Sequence, residues 1–121
     1  MIIGIGCDVT FLSKFTDKKQ NFIDKVLTTK EKELYNKRKG KKKIEFLAGH
    51  FSAKESIIKA LSSVIKINFL DIEILYNDEE PFVNINYCIV YISISHDGDI
   101  VMTNAIAMKK WLYIFNLEIR I

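Results

Sequence analysis

Between Ile44 and Leu61 apolar side chains return every three or four positions, as Ile44, Leu47, Phe51, Ile58 and Leu61. At about 100° of turn per residue these form one arc of a helix. Glu55 falls inside that arc, between Phe51 and Ala48 by angle. A carboxylate on a buried face must be neutralised, paired or bound to a metal. Lys59, one turn on, is a local partner, while Lys54 projects to the side. Such i,i+4 Glu–Lys pairs ordinarily decorate the wet face of a helix, which sets this one apart.

The opening "IIGIGCDV" alternates as a strand, with Ile3, Ile5, Cys7 and Val9 on one face and Ile2, Gly4, Gly6 and Asp8 on the other. The second face loses its side chains at Gly4 and Gly6 just before it presents a carboxylate, which suits a bulge or the close approach of another backbone. "GIG" is not a dinucleotide fingerprint, because the third glycine and the helix register are absent. Phe11 to Leu27 reads as helical, with a break around Thr16 to Gln20. "TTKEKELYNKR" follows as a helix capped by Thr28 or Thr29 and ended by Gly40. Downstream, Ile72–Tyr76 is a strand that stops at the turn from Asn77 to Pro81, and Phe82 to Ile85 pairs with it. "IVYISIS" runs to Ser95, turns through "HDGD" and returns as "IVMTNAIAM", which places His96 at a strand end. The fold class predicted is α+β: a small antiparallel sheet packed against the long central helix. The apolar tail from Trp111 to Ile121 is expected to add an edge strand, cover a sheet or lie in a subunit contact.

Composition narrows this reading only a little. At 121 residues, 49% apolar and 12% aromatic, the chain is one domain, 1–121, able to bury a core without disulfides. Cys7 and Cys88 lack metal spacing and read as core thiols in a reducing compartment. The net charge of +3, 18 basic against 15 acidic residues, is too small for a nucleic-acid binder but suits a phosphate- or carboxylate-bearing partner. Much of it sits in "NKRKGKKK", Asn36 to Lys43, which lacks the interleaved aromatics of a nucleic-acid surface. No apolar run approaches the roughly 20 residues of a membrane span, and "MIIGIGCDV" lacks a secretory pattern. The expected location is the cytoplasm or, for a trimmed mature domain, an organelle such as a plastid.

Asp8 and Glu55 come from different elements, and two like charges brought together need a proton or a cation between them. With oxygen donors and neither a histidine pair nor a thiolate cluster, the cation expected is Mg²⁺, completed by water and substrate phosphates. Such a site suits phosphoryl chemistry.

The segments "GIGCDV", "FLAGHFSAKESIIKAL" and "VYISISHD" resemble, in order, the three signatures of the holo-[acyl-carrier-protein] synthase family, the small bacterial and organellar type of 4'-phosphopantetheinyl transferase. The resemblance runs from Met1 to about Lys109 and leaves residues 110–121 as a tail beyond it. It implies a trimeric α+β enzyme with active sites between neighbouring subunits. The reaction implied moves 4'-phosphopantetheine from coenzyme A to a serine of apo-acyl carrier protein for fatty acid biosynthesis, releasing adenosine 3',5'-bisphosphate. By match, Asp8 and Glu55 bind Mg²⁺, Lys59 touches the pyrophosphate, and His96 lies at the coenzyme A site. His50 and Ser62 fall at nucleotide-contacting positions. The first helical stretch contacts the carrier protein, with Lys14, Lys18, Lys19 and Lys25 offering a basic face to an acidic partner. For the serine proton, a water held by a carboxylate and Glu55 itself both stay open as acceptors.

Departures from the family pattern bear on nucleotide contacts rather than on the carboxylate pair. Ser62, Ser63 and Val64 replace a "GTG" segment, "EEP" at Glu79 to Pro81 replaces "GKP", and His50 stands where arginine is frequent. Two other classes fit the residues less fully: a noncatalytic carrier-binding adaptor, and a different metal-assisted phosphotransferase or hydrolase. Retained carrier binding without metal binding marks the first, and a different product from coenzyme A marks the second.

Overall fold

The alternation of the first residues produces β1, Ile2–Phe11, whose partner lies at the far end of the chain. The computed structural model describes residues 1–86, 88–114 and 117–120, with side chains described as far as residue 110. β1 runs antiparallel to β5, Ile100–Lys109, and β5 runs antiparallel to β4, Cys88–Asp97, giving the order β1-β5-β4. A second hairpin joins β2, Glu73–Asn77, to β3, Glu80–Asn84. A third joins β6, Trp111–Ile114, to β7, Leu117–Arg120, so the tail pairs with itself. Its side chains, and with them the expected subunit or sheet contact, lie outside the described residues.

Register sorts the three-stranded sheet into two unlike faces. Gly6–Ala105–Ile92, Asp8–Thr103–Ile94 and Thr10–Val101–His96 are rows of one face. Val101, Thr103, Ala105 and Ala107 are buried there. The other face carries Ile5–Ile106–Tyr91 and Val9–Met102–Ser95, and its apolar members lie open, Ile5 at 72%. Cys7 belongs to this open face and is exposed, so only Cys88 is the core thiol expected of both. β4 runs two residues past Ser95, and the turn is Gly98–Asp99 rather than the whole of "HDGD". Gly98 stands at φ 57 in the first turn position, where a tight hairpin turn of this kind needs positive φ.

The helical part lies on the glycine side of the sheet. Phe11 ends β1, a 3-10 turn spans Leu12–Phe15, and α1 is Gln20–Val26, with the predicted break between them. α2, Thr29–Lys37, starts at Thr28 with a capping box: Thr28 Oγ1 accepts from the Glu31 N–H, and Glu31 Oε1 accepts from the Thr28 N–H. α3, Lys41–Leu61, is the long central helix, three residues longer at its start than the apolar spacing indicates, so only Lys41, Lys42 and Lys43 of the basic cluster fall in its first turn, while Asn36 and Lys37 end α2. A Cβ at Gly4 would overlap the carbonyl oxygen of Ala60, and one at Gly6 that of Ser56. Only glycine lets α3 settle directly on β1.

α3 is buried on more sides than one arc. Phe46, Leu47, Ala53, Ile57 and Leu61 are core, while Ile44, Phe51 and Ile58 are only partly covered. Leu12, Phe15, Ile23, Val26 and Leu27 pack with the first half of α3, and Ile67, Ile72, Ile74, Val90 and Ala105 with the second. Glu55 therefore lies half-buried at the edge of the core rather than in its middle. Lys54 is the residue that goes inside, at 0% exposure. Its ammonium donates to Glu31 Oε1 at 2.6 Å, Val26 O at 2.7 Å and Phe69 O at 3.0 Å. Glu31 Oε2 accepts from the Ile74 N–H at 2.9 Å. Among the described residues no helix is long and apolar enough to cross a membrane.

Removing one partner of such a pair leaves a lone charge in the core, at a cost of about 3–5 kcal/mol, whereas an apolar pair can be nearly neutral. Lys54→Met is therefore expected to lower the urea midpoint far more than the double change Lys54→Met/Glu31→Leu. Equal losses in the two variants, measured by urea unfolding, would show that the charges do not act together.

Candidate active site

Asp8 is the last carboxyl-bearing position on the glycine face of β1, in register with Thr103 and pointed at α3. Its side chain is 16% exposed. Ser52 Oγ donates to Asp8 Oδ2 at 2.8 Å, and Lys59 Nζ lies 3.5 Å from Oδ1 while donating to the Cys7 carbonyl at 2.9 Å. Ser52, Glu55 and Lys59 are spaced three and four apart and so share a helix face. Residues on either side of Glu55 thus hold Asp8, which brings the two carboxylates expected to act together onto one side of the helix. Lys59 turns to β1, and the Glu55–Lys59 surface pair is not among the ion pairs of the described residues.

This donor set can be tested against the chemistry of a divalent cation. No group of three or more His, Cys, Asp or Glu side chains capable of holding a metal occurs among the described residues. Two carboxylates without nitrogen or sulfur donors suit Mg²⁺, which keeps several waters and takes further oxygens from phosphates. Asp8 has one oxygen turned inward to Ser52 and one outward, and Glu55 is half-exposed and free of ion pairs among the described residues. The residues fit that cation.

The remaining expected residues sit elsewhere. A cleft of about 720 Å³ on the β4 side of α3 is lined by Arg38, Lys42, Glu45, His50, Tyr76 and His96, among others. His96 is half-exposed, with Nε2 3.9 Å from Glu45 Oε2. Glu79 and Pro81 also line this cleft, so the acidic departure in that loop faces it. Neither Asp8 nor Glu55 does. Ser62 caps the end of α3, its hydroxyl donating back to the Lys59 carbonyl at 2.9 Å.

His50, expected at a nucleotide-contacting position, is buried at the base of this cleft. It is 2% exposed, its ring stacks on Phe46 with centroids 3.8 Å apart, and both nitrogens have partners, Phe46 O at 2.8 Å and Tyr76 Oη at 3.1 Å. It forms the floor of the cleft rather than a free donor. Burial is the chief reason that its pKa falls to about 3.

Set beside known proteins, residues 4–105 match the family model of the 4'-phosphopantetheinyl transferase superfamily. The chain belongs to this superfamily. Among its relatives is the holo-[acyl-carrier-protein] synthase of Geobacillus sp. (strain WCH70), 40% identical over 114 residues, covering 88% of this chain and 96% of the relative. That of Streptococcus uberis is 41% identical over 117 residues, covering 91% and 99%. A crystal structure of the Bacillus anthracis holo-(acyl-carrier-protein) synthase in complex with CoA (3',5'-ADP) superposes with a TM-score of 0.82 at 33% identity, over 89% of this chain and 97% of that one. The holo-ACP-synthase of Plasmodium yoelii gives 0.77 at 28% identity, over 88% and 94%. The α+β class expected from the alternation is the fold shared with the Bacillus anthracis enzyme.

Sequence reasoning missed Ser52, Glu31 and Lys54. The capping pattern of Thr28 and Glu31 was the one visible signal, since a first-turn glutamate of a capping box is already turned toward the backbone.

The burial of His50 makes a pH prediction. The unfolded imidazole takes up a proton below about 6.5, while the folded one holds none until about 3. Between these values the unfolded chain binds more protons, so stability falls as the pH drops through this window. In His50→Phe, which keeps a ring against Phe46, the urea midpoint should fall less steeply from pH 6.5 to 4. An unchanged slope would place the acid sensitivity elsewhere.

Proposed function

We propose that the chain transfers 4'-phosphopantetheine from coenzyme A to a serine hydroxyl of apo-acyl carrier protein, giving holo-acyl carrier protein and adenosine 3',5'-bisphosphate for fatty acid biosynthesis. The observation that carries this reading is the Asp8–Ser52–Lys59 contact, which ties the carboxylate of β1 to the helix face of Glu55 within the stretch that matches the superfamily.

The reaction is an in-line displacement at phosphorus. The serine oxygen forms a bond to the phosphorus that carries pantetheine, and the pyrophosphate oxygen on the nucleotide side leaves. Asp8 and Glu55 would hold Mg²⁺, which when bound neutralises charge on the phosphate oxygens. Lys59, anchored on the Cys7 carbonyl and half-exposed, is placed to meet the pyrophosphate beside Asp8. His96 and the basic Arg38 and Lys42 in the cleft suit the phosphates and ribose of the nucleotide. A water held by one carboxylate takes the serine proton; direct removal by Glu55 is the alternative.

A homotrimer with shared sites accounts for two further features. The open sheet face carries exposed Ile5, Val9, Phe11, Tyr91, Ile100, Met102 and Ile106, an apolar area that a lone subunit would leave in water. The Asp8 cluster lies toward the β1 edge and the His96 cleft toward the β4 edge, so a neighbour's cleft can complete the site. Lys14, Lys18, Lys19 and Lys25 are all exposed around the 3-10 turn and α1, and they are the proposed docking face for the acidic carrier.

Incubation with coenzyme A, Mg²⁺ and apo-carrier, followed by mass analysis, should give holo-carrier and adenosine 3',5'-bisphosphate. Another product would point to a different phosphotransferase or hydrolase. Asp8→Ala and Glu55→Ala should abolish metal-dependent transfer. Lys59→Ala should slow the saturated reaction by about 3 kcal/mol, as loss of an oxyanion donor does. Lys14→Glu should instead raise the carrier concentration needed and weaken its salt dependence. Near-normal transfer by Asp8→Ala would sink the metal assignment.

The assembly has its own test. Sedimentation should give about three times 14.0 kDa, and Ile5→Glu should yield inactive monomers. Mixed trimers of Asp8→Ala and His96→Ala subunits should recover part of the activity that each lacks alone. A fully active monomer would refute the shared site.

A further inference from the structure

Ser52, Ser56 and Thr103 carry three hydroxyls shut between α3 and the sheet, each residue at 0% exposure. A helix lying this close to a sheet needs small side chains, but it does not need hydroxyls, and a buried hydroxyl is unfavourable without a partner. These three satisfy one another. Thr103 Oγ1 lies 2.6 Å from Ser56 Oγ, 2.9 Å from Ser52 Oγ and 2.9 Å from the Ser52 carbonyl, and Ser56 Oγ also reaches the Thr103 carbonyl at 3.2 Å. Only Ser52 also touches a charged group, donating to Asp8 Oδ2 at 2.8 Å.

Counting protons gives the group a direction. An ionised carboxylate only accepts, so the single Ser52 proton is committed to Oδ2, and the single Thr103 proton is shared between the Ser52 carbonyl and Ser52 Oγ, both at 2.9 Å. Thr103 Oγ1 in turn accepts from Ser56. The chain Ser56, Thr103, Ser52, Asp8 therefore ends in a charge-assisted hydrogen bond, the strongest link in it. It stops Asp8 from exchanging its two oxygens: Oδ2 stays turned to the helix, and Oδ1 points out past Lys59, which at 3.5 Å holds it only loosely.

We propose that Ser52 is a positioning residue for Asp8, fixing which carboxylate oxygen is offered to the cation. The inference rests on the reading of Asp8 as a metal ligand. Partners behind a ligand of this kind orient it, and their loss typically weakens metal affinity about 10- to 100-fold.

The test is direct Mn²⁺ binding, followed by electron paramagnetic resonance on the full-length chain with coenzyme A present, with thermal melting recorded for every variant. Ser52→Ala should weaken Mn²⁺ about tenfold or more. Ser56→Ala removes an equally buried hydroxyl one turn along without touching Asp8, and it should stay within about twofold of the unaltered chain. The two variants should shift the melting temperature alike. Equal Mn²⁺ affinity in Ser52→Ala and Ser56→Ala would overturn the inference while leaving the metal site intact, provided Asp8→Ala loses Mn²⁺. If Asp8→Ala binds Mn²⁺ as the unaltered chain does, the metal reading fails first. Should Ser52→Ala not fold, Ser52→Cys decides, since a thiol of similar size is a weak donor: weaker Mn²⁺ binding supports the role of the hydroxyl, and unchanged binding refutes it.

Discussion

The ammonium of Lys54 sits where five segments of the chain meet. It binds the last carbonyl of α1 at Val26, the carbonyl of Phe69 in a second 3-10 turn, Phe69–Asp71, and the carboxylate of Glu31, and that carboxylate in turn holds the start of α2 at Thr28 and the backbone of β2 at Ile74. Burial pulls the ammonium pKa down and Glu31 opposes the shift. Every oxygen and proton of the pair is occupied, which is the condition under which a charge can remain inside a protein. Because Lys54 immediately precedes Glu55, the same anchor fixes the rotation of α3 about its axis. With Lys54 inside, Glu55 must emerge at the edge of the core, on the side of β1.

The glycines of β1 complete the placement from the other direction. Removing two side chains brings the backbone of α3 down onto the strand at Ser56 and Ala60. Asp8 then meets Ser52 and Lys59 at hydrogen-bond range instead of across a layer of side chains. Rotation is set by a buried charge and separation by two missing methyl groups. The carboxylates share a side of the helix only because both constraints hold.

Much of this was legible from residue order. The period-two run of β1, the deletion of side chains ahead of Asp8, the long helix and the two late hairpins follow from alternation and turn chemistry, which are local. What was not legible depended on what surrounds α3. A helix packed on a sheet, on α1 and on α2 is covered over most of its circumference, so an arc drawn from its largest apolar residues lands on Ile44, Phe51 and Ile58, which are only partly buried. Lysine is read as solvated by default, and only the distant Glu31 makes Lys54 a core residue. His50 was assigned by its neighbours in the motif, yet its ring is held by Phe46 and by Tyr76, a strand away. Cys7 looked internal because its face of β1 is apolar, and that face is open in the single chain.

The pairing of β1 with β5 has a consequence for synthesis of the chain. Ile2 lies opposite Met108, so β1 is synthesised well before the strand it pairs with. Until then, the segment that carries Asp8 has unfilled backbone hydrogen bonds along both edges and apolar side chains on its outer face. The helices, built from near neighbours, can form early, and the sheet cannot. For a nascent chain, Asp8 is therefore among the late residues to acquire its surroundings, however early its codon is read.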